Sequence, residues 1–149
     1  MRSCFLVGLL IFLPATAFSQ ADGSAYDSYR IAVESSGDDV TGTSLVYEFK
    51  EAIRESEGHE LVSSSTTPLL TVRLSTMPKS RDMPQAATMY DVVWTVPSRG
   101  KALPYFAKST FGYAGRDTVE DAARDLMAQT DQVVSDLMDA VRRAVEEEQ

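Results

Sequence analysis

The alternation of apolar and polar positions changes period several times along the chain. Tyr29, Ile31 and Val33 interleave with Arg30, Ala32 and Glu34, a period of two that predicts a half-buried strand. Ser35 to Gly42 is turn chemistry. From Thr43 the period lengthens: Leu45, Phe49, Ala52 and Ile53 share one helical face, Glu48, Lys50, Glu51, Arg54 and Glu55 surround the other, and Gly58 stops the helix after Glu57. His59 to Ser63 reads as a short strand. Pro68 precedes a second clear alternation, Leu70, Val72 and Leu74 against Thr71, Arg73 and Ser75, over Leu69 to Thr76. Pro78 and Pro84 mark a long loop, because proline cannot donate to a central ladder. Thr88 to Val96 then places Tyr90, Val92, Trp94 and Val96 on one face. Ser98-Arg99-Gly100-Lys101 predicts a hairpin turn into a strand over Leu103 to Tyr113, antiparallel to the one before.

The last element is the longest. Asp117 with Glu120 three residues on has the spacing of a capping box, and Val119, Ala123, Leu126, Thr130, Val133, Leu137, Ala140 and Ala144 follow at helical intervals. Thr130 and the alanines weaken this stripe as a coiled-coil seam, which favours packing on the body of the domain. The order β-α-β-β-β-β-α predicts an α+β fold, a mostly antiparallel four- to five-stranded sheet with two helices on one face. One domain over residues 29–141 follows, with 142–149 as a charged tail or frayed helix end.

The first nineteen residues have a different character. Arg2, the apolar run Phe5 to Leu13, Pro14 and the small residues up to Ser19 have the layout of a cleavable secretory signal peptide, and the run is too short to span a bilayer. Cleavage before Gln20 starts a flexible leader, 20–28, and predicts a periplasmic or secreted protein. It also removes Cys4, the only cysteine, so no disulfide, thiol nucleophile or lipid-anchoring cysteine is expected in the exported chain. The chain contains no asparagine, hence no N-glycosylation site, which fits a bacterial envelope.

Charge excludes one class of partner and suggests another. The 149 residues carry a net charge of −8 and a pI near 4.6, against general nucleic-acid binding. The distribution is uneven. Between Met77 and Lys108 there are five basic residues, Lys79, Arg81, Arg99, Lys101 and Lys108, against Asp82 and Asp91, whereas from Asp117 onward ten acidic residues face three basic ones. The basic loop edge is a candidate surface for anionic lipid, lipopolysaccharide phosphates or an acidic protein. Phe106 alternates with Tyr105, Phe111 and Tyr113, so this strand predicts an aromatic on each face, and those away from the helices are candidate anchors for a partner.

Catalytic signals are sparse. His59, the only histidine, stands beside Glu57 and Glu60 and reads as a solvated turn residue. No G-x-S-x-G elbow surrounds a serine. The loop from Gly37 to Gly42 lacks the Gly-Lys-Ser/Thr ending of a phosphate cradle, and Asp38-Asp39 supplies too few oxygens for calcium. Met77, Met83 and Met89 read as adaptable packing rather than as copper ligands. No cofactor is expected. A small hydrolase using His59 or an acidic pair is the competing reading.

The succession of Tyr29 to Val33, a helix over Thr43 to Glu57, the Leu69 to Thr76 strand and the closing helix from Thr118, behind a signal peptide, resembles the small α/β envelope domains typified by the amino-terminal domain of TolB and by LptE, the lipopolysaccharide-assembly protein. The resemblance is one of architecture over about 110 residues, with no shared motif. It implies a non-enzymatic docking module for another envelope protein. LptE-like proteins are lipid-anchored, and this chain lacks the cysteine for that.

Overall fold

A computed structural model of the chain describes residues 28–98 and 103–147. The segments expected to be a signal peptide and a leader, up to residue 27, and Arg99 and Lys101 lie outside the described residues. Strand β1 spans Tyr29–Ser36, helix α1 Val40–Glu55, β2 His59–Val62, β3 Leu70–Pro78, β4 Ala87–Val96, β5 Tyr105–Gly115 and helix α2 Val119–Glu147. This is the α+β order read from the sequence, with five strands and two helices.

The sheet runs β2-β1-β3-β4-β5 and is mixed rather than mostly antiparallel. β1 pairs in parallel with both β2 and β3, while β3, β4 and β5 form an antiparallel meander. The difference lies in the connections. Helix α1 returns the chain to the starting end of β1, so β2 must run parallel to it, and the segment from Ser63 to Leu69 returns it once more on the other side. Periodicity sees strands but not the direction in which a crossover sets them.

Both helices pack on one face and against each other. Beneath them Ile31, Leu70, Val72, Leu74, Val92 and Trp94 of the sheet meet Leu45, Phe49 and Ile53 of α1 and Ala123, Leu126 and Val133 of α2, all buried. Thr130, a weak seam residue by its polarity, is fully buried because it accepts the Trp94 indole N–H at 3.0 Å while donating to the Leu126 carbonyl at 2.8 Å. A buried indole needs such an acceptor. Burial along α2 ends at Val134, and its last turns, from Asp139 to Glu147, are exposed but helical.

Both helices start differently from the sequence expectation. α1 begins at Val40, three residues early, because Asp39 is its N-cap and accepts the Gly42 N–H at 2.6 Å. The turn assigned to Ser35–Gly42 therefore includes the first helical turn, and buried Asp39 is a structural acceptor rather than a turn charge. Its second oxygen accepts Thr88 Oγ1 of β4 at 3.1 Å, tying the helix start to the sheet. Gly42 is required there, since a Cβ would collide with the Thr76 side chain. At α2 the Asp117–Glu120 box gives way to a 3-10 turn, Arg116–Thr118, in which Thr118 Oγ1 accepts the Gly115 N–H at 2.9 Å.

Asp39→Ala removes one acceptor from the Gly42 amide and one from fully buried Thr88. A loss of about 2 kcal/mol is expected, read as a lower urea midpoint with unchanged slope, and Asp39→Asn should retain most of the stability.

Candidate functional site

With the helices on one side, the other face of the sheet carries the odd-numbered positions of β3 and β4. Register places Met77, Met89 and Tyr113 in one cross-strand row and Ser75, Asp91 and Phe111 in the next. Side chains opposite each other on one face are in contact range, so the apolar members form one patch. Phe111 is 87% exposed, Tyr113 69%, Met77 57% and Met89 43%. They line a cleft of about 320 Å³ together with Lys79, whose Nζ stands 4.5 Å over the Tyr113 ring. The arrangement offers apolar contact, adaptable thioethers, one cation held over the Tyr113 ring and one exposed carboxylate, Asp91, beside Phe111.

Tyr90 lies across from Gly112, and its ring occupies the space that a Cβ at Gly112 would need. Burial raises the Tyr90 phenol above its ordinary value, with the negative charge of Asp125 on α2 adding to the effect.

The sequence-derived candidates are dispersed. Lys79 joins the cleft, and Arg81 is exposed in the loop between β3 and β4. Lys108 lies across from Trp94, on the helix-covered side, with Nζ 5.7 Å from the indole centroid. Sheet thickness therefore separates it from Lys79. The aromatics of β5 are distributed otherwise than simple alternation implies. A β-bulge at Trp94/Thr95 resets the pairing, so Phe106 opposes Thr95 and Tyr105 opposes Val96. Phe106 thereby shares register parity with Phe111 and Tyr113, and Tyr105 does not. Phe106 is exposed at the far end of the strand.

Two further readings are corrected. Met77 and Met89 are not core packing, because the face they occupy has no helix over it, and Met83 is exposed in the loop. His59 is not a solvated turn residue: it opens β2, its side chain is 5% exposed, and Nε2 is 2.6 Å from Asp131 Oδ1 of α2. Its Nδ1 is buried with no hydrogen-bond partner among the described residues. Asp131 is 72 residues away in sequence, which is why local context misplaced the histidine. No group of three or more His, Cys, Asp or Glu among the described residues could hold a metal ion.

No protein-family model matches the chain, and no curated protein matches it. Among solved structures it is similar to the hypothetical protein CT253 from Chlamydia trachomatis, at 8% identity and a TM-score of 0.38, over 74% of this chain and 95% of that one. No helix of the described residues is long and apolar enough to cross a membrane.

Folding stability is expected to fall above the ordinary tyrosine value of 10.0. The unfolded chain releases the Tyr90 proton there while the folded chain retains it, so the contribution is full below that pH and is lost as pH rises through the higher folded value. In an ultraviolet phenolate titration Tyr90 should be the late step, and Tyr90→Phe should remove it.

Proposed function

We propose that this protein is an exported, non-enzymatic binding module of a bacterial cell envelope that docks another envelope protein through the open face of its sheet. The observation that carries the reading is the contiguous exposure of Met77, Met89, Phe111 and Tyr113 on the face that no helix covers. Aromatic and methionine side chains are enriched in the centres of protein interfaces, and a patch of this kind on a single domain marks an interaction surface. Lys79 at the rim gives the partner its chemistry: an apolar segment with a carboxylate beside it, which would meet the cation as it is desolvated. The signal-peptide layout of the first nineteen residues and the docking role implied by the resemblance to envelope domains support this reading.

The hydrolase alternative draws no support from His59. Its hydrogen-bonded nitrogen is engaged by Asp131 and the other is buried with no partner among the described residues, so neither contacts a serine or threonine nucleophile there.

The test is a photo-crosslinking residue at Met89, with one at Glu55 on α1 as control, activated in the native host. The expected product is one protein joined at Met89 alone, the joined peptide being apolar with an adjacent Asp or Glu. Phe111→Ser should reduce its yield about tenfold or more, by the weight that central aromatics carry in interfaces, with the melting temperature unchanged. Equal products at both positions, insensitivity to Phe111→Ser, or attachment only to anionic lipid would overturn the reading.

A further inference from the structure

The other end of the same sheet face is polar and concave. A hollow of about 650 Å³ lies over the first halves of β1 and β3, with Arg30, Glu34, Thr71, Arg73 and Thr95 among its lining. Thr71 and Thr95 are buried although no helix covers them, and Pro68, Leu69 and Pro97 line the same hollow. Its volume falls within the range of small-molecule sites.

Its hydrogen-bonding inventory is unbalanced. Each guanidinium has five N–H donors. Arg73 gives Nε to Glu34 Oε2 at 3.0 Å, and Arg30 gives one terminal nitrogen to the Thr66 carbonyl at 3.5 Å. The remaining guanidinium donors have no protein partner among the described residues and, both side chains being exposed, face solvent where a ligand can reach them; Glu34 is the one carboxylate in the lining. The rim also holds the strained residue of the fold: Thr67, β-branched and followed by proline, is left-handed at φ 48°. Both features disfavour that conformation, and strain of this kind persists where the surroundings enforce it, often at ligand sites.

We propose that this hollow binds a small oxyanion ligand, a molecule or chain end carrying carboxylate or phosphate groups, held by the forks of Arg30 and Arg73. Arg73 stands across from Glu34, four residues along β1 from Arg30, so the two guanidinium stems start about 13 Å apart along the strands. Two anionic groups within that span, or one gripped from both sides, satisfy the free donors. Glu34 competes with the ligand for Arg73 and sets the affinity. The site is separate from the apolar cleft and does not depend on what docks there.

Citrate and pyrophosphate serve as probes of the two anion chemistries, with trehalose as the neutral control, each titrated into the isotope-labelled protein and followed by amide and arginine Nε–H resonances. The expected result is saturable shifts at Arg30 and at Thr67 to Arg73 with a charged probe and none with trehalose, the stronger probe naming the anion. Arg30→Ala or Arg73→Ala should weaken binding about tenfold or more, and Arg73→Lys, which keeps the charge but loses the fork, by an intermediate factor. Glu34→Gln should tighten it severalfold, and Lys79→Ala should leave it unchanged. No saturable shift with either anion up to about 10 mM, the weak end of useful affinity, would overturn the proposal. So would arginine variants that bind like the parent while keeping its spectrum, or a Lys79→Ala loss equal to theirs.

Discussion

Two helices cover one face of a five-stranded sheet and no more. Five strands spaced about 4.8 Å apart make a surface roughly as wide as two helices side by side, each about 10 Å across. With α1 and α2 both on the same side, every residue on the other parity faces away from the core. Burial follows this division at the Met77 end, where Leu74 and Val92 are sealed and Met77 and Met89 on the same two strands are not; at the other end Ala32, Thr71 and Thr95 are buried on the uncovered face as well. The open face therefore holds the residues that the fold does not need for its core. Its character, polar over Arg30, Glu34 and Arg73 and apolar over Met77 to Tyr113, is what remains for function to explain.

Placement of the long helix depends on polar contacts as much as on its apolar stripe. A stripe of Ala, Leu and Val tolerates sliding by one turn, since small and medium side chains fit several holes. The Trp94–Thr130 hydrogen bond and the His59–Asp131 contact do not. One lies under α2 on β4, beside the β5 edge, and the other ties it to β2 at the opposite edge, so together they set position and angle. Shifting the helix would strand a buried indole N–H, at a cost comparable to the net worth of several surface interactions.

Much of this architecture was legible in the chain, and the misreadings share one cause. Element order, the faces of β3 and β4, and the strand-to-helix changes of period followed from local pattern. Strand direction, the burial of His59, the bulge beside Phe106 and the tie from Asp39 to Thr88 each depend on residues distant in sequence, whereas the cap that Asp39 places on Gly42 is local and is the exception, a signal hidden among the turn residues around it. The candidate site was half visible. Lys79 belonged to the basic stretch, but Phe106 was the aromatic singled out for a partner, and Phe111 and Tyr113 counted only as members of a set that the core could not all absorb. Met77 and Met89 did not stand out, because methionine is as common in cores as on binding surfaces. Arg30 and Arg73 passed as the polar half of an alternating strand, and only pairing through β1 and β3 brings them to one hollow.

The distribution of charge limits how anything reaches the open face. Acidic residues are concentrated from Asp117 onward, on the helix side of the sheet, and the net charge is −8. At distances beyond the Debye length an approaching anion meets screened repulsion rather than steering. Attraction begins only in contact range, at Lys79 and at the guanidinium groups of Arg30 and Arg73, each sharing its lining with one carboxylate, Asp91 or Glu34. Affinity on this face must therefore come from short-range terms, buried apolar area at one end and forked hydrogen bonds at the other. A surface organised in this way discriminates by fit after encounter, and its selectivity resides in slow release rather than in fast capture.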